Sequence, residues 1–267
     1  MPKKTNSWLN DAMTAPKQIA VVIIPTYNEA ENIGRLTDEL CTKTFPSIND
    51  WQMKLLIVDG KSPDGTAEVV KKKKDHYVCL HLLEEKQRNG LGAAYLEGFK
   101  YAMNILQADV VIEFDGDFQH PPETIGELLE KINGGYDYVV GSRNIPGGSE
   151  IERGLFRHLL TSFGGFLARF ILFFPSSKFW QVTDATTGLK ATRVQGFVNE
   201  LNLNSEHLKS KKFGYKVQLL SETLALNARY AEIPLQFQNR AAGMSKFEMS
   251  TIGEILMACM RTRLQTL

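Results

Sequence analysis

Ile19-Ala20-Val21-Val22-Ile23-Ile24 is an unbroken apolar run, mostly β-branched, that stops at Pro25-Thr26-Tyr27-Asn28-Glu29. A short run without polar alternation suits a strand buried on both faces. Beyond it, Glu29 to Leu40 has helical spacing at Ile33, Leu36 and Leu40, with acids in the first turn, where the helix dipole favours them. A second strand, Met53 to Val58, ends in the turn cluster Asp59-Gly60-Lys61-Ser62-Pro63-Asp64-Gly65. Thr66 to Lys74 reads as helix, Val78 to Leu83 as strand, and Leu91 to Leu106 as helix. Val110 to Phe114 is a fourth strand, closed by Asp115-Gly116-Asp117. Pro121 and Pro122 open a further helix, and Tyr136 to Val140 is a fifth strand.

Strand and helix thus alternate through the first 140 residues, the pattern of a mostly parallel α/β sheet flanked by helices. Ligands of such sheets bind beyond the carboxyl ends of the strands. Three of those ends carry polar signatures: Pro25 to Glu29, Asp59 to Asp64, and Asp115 to Gln119. Their convergence on one edge is the main functional signal. The second half is less regular. Residues 151–174 read as a helix with arginines on an apolar body, Thr183 to Gly188 as a loop, and Gly214 to Leu226 as a helix. Ala231 to Gln236 reads as a strand, Arg240 to Lys246 as a basic glycine-containing loop, and a last helix starts near Ser250.

The 267 residues carry 31 Lys+Arg and 30 Asp+Glu, a formal charge of +1, which gives no electrostatic basis for nucleic-acid binding. A chain of this length buries roughly three-quarters of its unfolded surface. Cys41, Cys79 and Cys259 are far apart in sequence, which excludes a disulfide scaffold or a zinc ribbon and predicts buried thiols in a reducing compartment. No apolar segment follows Lys3 and Lys4, so no secretory signal is expected. The longest apolar stretch, Phe163 to Phe174, contains Arg169 and falls short of the roughly 20 residues of a spanning helix.

Two carboxylates flanking a glycine at a strand end, with the Gln119 amide two residues on, offer hard oxygen ligands to Mg²⁺ or Mn²⁺, which commonly share them with substrate phosphates. Acidic turns are common, and the preceding strand and following His120-Pro121-Pro122 give this one its weight. Asp59 can accept hydrogen bonds from a ribose or base edge, or simply form its turn. Gly60-Lys61-Ser62 lacks the first P-loop glycine, because position 55 is Leu. Gly90-Leu91-Gly92 lacks the third glycine of a dinucleotide fingerprint, because position 95 is Tyr. Arg143, Arg157, Arg240 and Lys246 are candidate phosphate ligands. His120 reads as a local cap, and the Lys71–Lys74 run as a solvated helix end.

Taken together, these segments resemble the family 2 glycosyltransferases of GT-A fold, and among them the polyprenol-phosphate (dolichol-phosphate) mannosyltransferases. The matching pieces are Ile24 to Glu29, Val58-Asp59 with Ser62 to Thr66, Gly90 to Tyr95, Asp115 to Pro122, and Gly141-Ser142-Arg143. Thr183-Asp184 with Thr187-Gly188, and Arg240 with Gly243, Ser245 and Lys246, complete the set. The resemblance implies a nucleotide cradle of Pro25, Tyr27, Glu29, Val58 and Asp59. It implies nucleotide-sugar binding at Gly116 as well, metal and diphosphate contacts from Asp115, Asp117 and Gln119, and phosphate contacts from Arg143, Arg157, Arg240 and Lys246. Three positions depart from the family pattern: Gly60 stands where a second Asp is usual, Gly116 where Ala is usual, and Leu220 where a glutamate falls, with Glu222 two residues on.

On that resemblance, 1–16 is an N-terminal tail, 17–150 the nucleotide-sugar half, 151–248 the acceptor half and 249–267 a C-terminal helix. The implied reaction is inverting transfer of mannose from GDP-mannose to a polyprenyl or dolichyl monophosphate, with Mg²⁺ or Mn²⁺. Asp117, Arg143 and Arg157 are the expected catalytic residues. An acceptor phosphate with a second pKa near 6 is already largely the dianion at pH 7, so it needs positioning rather than a base. The Phe- and Leu-rich helix over 155–174 suits either a membrane interface, with its arginines at headgroup level, or a core position with snorkelling arginines. The expected location is peripheral, on the cytoplasmic side of a membrane (endoplasmic reticulum in a eukaryote, inner membrane in a bacterium). A small membrane-anchoring subunit is a possible partner and nucleic acid is not. The alternatives are a UDP-sugar donor (glucose or N-acetylglucosamine), a non-lipid acceptor, a nucleotidyltransferase, and a non-catalytic nucleotide-sugar-binding subunit.

Overall fold

The computed structural model describes residues 16–150, 155–238 and 249–266, of which 155–162, 249–250 and 266 are described by their helical backbone alone. In chain order the elements are β1 (Gln18–Thr26), α1 (Ala30–Glu39), α2 (Phe45–Ser47), β2 (Trp51–Asp59), α3 (Thr66–Lys74), β3 (Leu80–Glu84), α4 (Leu91–Asn104) and β4 (Val110–Glu113). There follow α5 (Thr124–Asn133), β5 (Tyr138–Ser142), β6 (Ser149–Glu150), α6 (Leu155–Phe173), α7 (Lys178–Gln181), β7 (Lys190–Arg193), α8 (Tyr215–Ala225), β8 (Tyr230–Pro234), β9 (Gln236–Phe237) and α9 (Met249–Thr266).

Seven strands form one sheet in the order β3-β2-β1-β4-β7-β5-β8, and β6 pairs with β9. The apolar run that opens the chain's regular structure lies in the middle of this sheet. β1 pairs in parallel with β2 from Gln18↔Trp51 to Thr26↔Asp59, and with β4 from Ala20↔Val110 to Ile23↔Glu113. Ala20 to Ile24 are wholly buried because both faces of the sheet are covered. Ala20, Val22 and Ile24 pack with the apolar stripes of α1, α3 and α5, while Val21 and Ile23 pack under α4 with Tyr95, Phe99 and Tyr215. A Cβ on Gly98 of α4 would come within 2.7 Å of Ile23 Cγ2, so the close seating of this helix on β1 requires a glycine there. A third core joins Tyr138 and Val140 of β5 to Leu172 of α6, Leu220 of α8 and Ala258 of α9.

β7 has no counterpart among the expected strands. Its sequence, Lys190-Ala191-Thr192-Arg193, lacks any apolar alternation, yet it inserts antiparallel between β4 and β5. Lys190 faces Glu113 across the ladder, and both are buried, 3.9 Å apart. The helix after the proline pair begins at Thr124, later than Pro121-Pro122 suggests, after a turn in which the Thr124 hydroxyl donates to the Pro121 carbonyl. Cys41 and Cys79, 38 residues apart, meet with their sulfurs 3.4 Å from one another. Fifteen of the sixteen expected tail residues, 1–15, lie outside the described residues.

Candidate active site

β4, β5 and β8 run parallel to β1, β2 and β3, so the loops after β1, β2, β4 and β5 open on one edge. Three of those loops each hold one non-glycine residue at positive φ: Asn28 at 56°, Lys61 at 58° and Phe118 at 63°. Such conformations cost of order 1–3 kcal/mol each and persist where surrounding structure imposes them, commonly at functional sites. The first two loops are laced together. Ser62 Oγ accepts from the Asn28 N–H, Thr66 Oγ1 from the Glu29 N–H and Asp64 from the Ala30 N–H, each at 3.1 Å. The start of α1 is thereby capped by the loop of another strand.

Among the expected cradle residues, Asp59 is buried, and its carboxylate accepts from Thr26 Oγ1 at 3.0 Å, Ser62 N–H at 2.9 Å and Ser62 Oγ at 2.6 Å. Both oxygens are therefore engaged inside the loop pair. Val58 is a core residue under α4 and faces the edge only with its backbone. Pro25 ends β1, Glu29 accepts from Asn32 Nδ2 at 3.0 Å, and the Tyr27 ring lies 3.7 Å from the Arg88 guanidinium. Neither Arg88 nor Glu85, which follows β3, carries a motif that sequence reading could have used. Burial, then Glu97 and Asp59, push the Glu85 carboxyl up to about 7. Its Oε2 would sit 3.3 Å from a Cβ at position 60. A second aspartate after Asp59 would place another carboxylate against this one, which gives Gly60 a local physical reason.

Asp115, Gly116 and Asp117 follow β4. Gly116 is packed over Ile24, whose Cγ2 would lie 3.2 Å from an added Cβ. Asp117 is 4% exposed and accepts the Gln119 N–H at 3.1 Å. Gln119 Nε2 donates to the Gln238 carbonyl at 3.4 Å. The donor set of Asp115, Asp117 and the Gln119 amide oxygen is all-oxygen and fits a hard divalent cation. Among the described residues no cluster of three His, Cys, Asp or Glu side chains could enclose a metal by itself. A metal here would therefore complete its shell with substrate oxygens or water. His120 caps this loop, as expected: its Nδ1 accepts the Asp115 N–H at 3.3 Å between the rings of Phe114 and Phe237. Burial pushes its ring down to about 4, so it is neutral near pH 7.

Arg143 follows β5 and is held by Asp184. Its Nε and Nη2 donate to the two carboxylate oxygens at 2.7 and 2.8 Å, and its N–H to Oδ2 at 3.2 Å. Burial alone would raise the Asp184 carboxyl, but the charge and hydrogen bonds of Arg143 hold it below the usual carboxylate range. The neighbouring Thr183 hydroxyl bonds to Ser142 Oγ and Glu232. Arg157 lies on α6, with its side chain outside the described residues, and Arg240 and Lys246 lie outside them altogether. Glu222 is paired with His207 at 2.9 Å and with Gln218 at 2.8 Å, and Leu220 is in the third core.

The structure adds Lys216, in the first turn of α8, which no sequence motif marks. Its ammonium stands 3.9 Å from Asp115 Oδ2. Beneath it, Tyr215 Oη donates to Glu113 at 3.2 Å, and Lys190 Nζ donates to the Lys216 carbonyl at 3.1 Å. Burial raises the Glu113 carboxyl and lowers the Lys190 ammonium, the directions expected when charge is removed from water.

The family model described as glycosyl transferase family 2 matches residues 21–197. The undecaprenyl-phosphate mannosyltransferase of Micrococcus luteus is 32% identical over 88% of this chain and 89% of its own length. The polyprenol monophosphomannose synthase of Mycolicibacterium smegmatis is 30% identical over 92% and 87%. The dolichol-phosphate mannosyltransferase of Pyrococcus furiosus is 32% identical over 88% of this chain and 61% of its own length. Among solved structures, mannosyl-3-phosphoglycerate synthase from Rubrobacter xylanophilus superposes with a TM-score of 0.62 at 18% identity, covering 94% of this chain and 74% of that one. Glucosyl-3-phosphoglycerate synthase from Mycobacterium tuberculosis, in complex with Mn²⁺, UDP and its product, superposes with a TM-score of 0.59 at 18% identity, covering 93% and 79%. The chain is a glycosyltransferase of GT-A fold and belongs to glycosyl transferase family 2.

Proposed function

We propose that this chain transfers mannose from GDP-mannose to the phosphate of a polyprenyl monophosphate, with inversion at the anomeric carbon. The observation that carries the reading is the likeness, over most of the chain, to proteins named for mannosyl transfer to polyprenyl phosphates, on a chain whose strand-end Asp115 and Asp117 are intact. The half from 17 to 150 binds the donor, and the segment after it presents the acceptor. Asp115, Asp117 and Gln119 would hold Mg²⁺ or Mn²⁺, which supplies positive charge for the departing diphosphate. The acceptor dianion is itself the nucleophile. No described side chain has to remove a proton from it, and His120, buried and neutral, is not placed for that work. Arg143 and Asp184 together fix the loop that borders the reacting groups, and Arg157, Arg240 and Lys246 supply further phosphate contacts.

The lipid is reached at a membrane surface. No described helix is long and apolar enough to cross a bilayer. Phe163, Phe166, Phe170 and Phe174 are exposed along α6 and just past its end, with Trp180 beside them at 76% exposure. The rings of Phe166, Phe170 and Phe174 stack in sequence, at 6.4 and 4.8 Å. Arg169 turns the other way and donates to the carbonyls of Phe179 and Thr183. An aromatic ridge facing solvent, with its arginine tied inward, suits shallow insertion at a headgroup boundary. We place the protein peripherally on the cytoplasmic face, with a small anchoring subunit as an allowed partner.

The test is incubation of purified protein with Mn²⁺ or Mg²⁺, polyprenyl phosphate and sugar-labelled GDP-mannose, followed by counting of label in the organic phase. Label enters the lipid with wild type and is lost with Asp117→Asn. Transfer from UDP-glucose or UDP-N-acetylglucosamine instead would overturn the donor, and the absence of any transfer would favour a non-catalytic subunit.

A further inference from the structure

We infer that Lys216 is a phosphate-binding residue of this site, its ammonium completing its hydrogen bonds on a phosphate oxygen of a bound substrate. The inference rests on the transferase reading above for the identity of that phosphate.

The Lys216 side chain is 8% exposed, and its ammonium has an ionic neighbour, Asp115 Oδ2 at 3.9 Å, too far for a hydrogen bond. Among the described residues nothing else accepts from it, and its contact with Phe213 is through a ring face 5.6 Å away. An ammonium largely withdrawn from water with three unspent donors is costly unless a ligand meets them. Its position is imposed from below. Lys190, Glu113 and Tyr215 form a buried network that grips the Lys216 carbonyl and fixes the first turn of α8. Space for it is kept from the side by Gly188. A Cβ there would fall 2.5 Å from Lys216 Nζ, 2.9 Å from Asp115 Oδ2 and 3.2 Å from the His120 ring.

Three elements far apart in the chain, the end of β4, the loop before β7 and the start of α8, thus bring one ammonium to the acid pair. The charge argument points the same way. Both substrates of the proposed reaction carry phosphate, and Asp115 and Asp117 repel it. Arg143, at the end of β5, already has two of its donor nitrogens on Asp184. The phosphate could be the acceptor's monoester or the donor's diphosphate, and binding measurements separate the two.

Calorimetric titrations of wild type, Lys216→Met and Lys216→Arg would use three probes: GDP with Mn²⁺, a short soluble prenyl monophosphate, and inorganic phosphate. Mn²⁺ alone is titrated in parallel. Loss of about tenfold or more in affinity for one phosphate ligand in Lys216→Met, largely regained in Lys216→Arg, supports the assignment. The ligand that weakens identifies the source. Unchanged affinity for every phosphate ligand overturns it, as does a change confined to the Mn²⁺ titration, which would make Lys216 a partner of Asp115 alone. Wild type that binds inorganic phosphate through Lys216 but neither GDP nor prenyl phosphate would keep the phosphate site and sink the transferase reading. Wild type that binds none of the three sinks both. Should Lys216→Met not fold, Lys216→Gln replaces it.

Discussion

Removing the guanidinium of Arg143 leaves Asp184 as an uncompensated buried charge. The carboxylate is 2% exposed and receives two side-chain hydrogen bonds from Arg143, at 2.7 and 2.8 Å. Breaking one side of such a pair costs about 3–5 kcal/mol. At roughly 2–4 °C per kcal/mol for a chain near this size, Arg143→Met is expected to lower the melting temperature by about 6–20 °C. Arg143→Lys keeps the charge and loses the fork, so it falls between, at about 1–2 kcal/mol. The double variant Arg143→Met with Asp184→Asn loses less than the sum of the singles, because it removes the Asp184 charge together with its partner. The pH dependence has a definite sign. Asp184 is held below its unfolded value, so its contribution is full above the ordinary carboxylate range, near 3.9. It fades as pH falls through the lowered folded value. The wild-type contribution should therefore stay level from pH 8 to 5 and fade only in strong acid, whereas in Arg143→Met burial raises the unpaired Asp184 carboxyl, so the difference between the two narrows as pH falls through that raised value. Thermal melts followed by far-UV circular dichroism measure all of this. A Met variant melting within about 2 °C of wild type, or singles that simply add, would refute the pairing argument.

Other expectations follow from single contacts. Glu85→Gln should raise the melting temperature at pH 8 and leave it nearly unchanged at about pH 4, because wild type loses stability as pH rises from the ordinary carboxylate range to the folded value of about 7. Equal shifts at both pH values would contradict this. Gly98→Ala puts a methyl 2.7 Å from Ile23 Cγ2 and should cost about 1–3 kcal/mol in urea denaturation; a neutral result would mean that α4 is not seated against β1. Replacing Phe166, Phe170 and Trp180 together with Ser should abolish flotation with anionic liposomes while leaving the melting temperature within a few degrees. Retained flotation would place the membrane contact elsewhere.

How much of this was legible in the sequence differs from segment to segment. The β1 run was readable because a strand covered on both faces must be apolar throughout, and the adjoining α1 and α3 announce themselves by spacing and turn chemistry. The strand-end acids were readable because Asp115-Gly116-Asp117 follows an apolar strand directly. β7 was not, since Lys190 is apolar neither in pattern nor in kind; it is buried only because Glu113 faces it from a strand 77 residues earlier. The Phe-rich helix could be read two ways, and its faces were separated only when Arg169 found carbonyls in the chain that follows.

The sequence by itself determined the alternating α/β order and the polar strand ends, with the acid pair after β4, because each follows from residues adjacent along the chain. Only tertiary structure decided which charges meet. Arg143 reads as a phosphate ligand until Asp184, 41 residues on, takes its fork. Lys216 reads as an ordinary helical lysine until Gly188 leaves room for it beside Asp115. Electrostatic partners are set by distance in space, and spacing along the chain does not carry that distance.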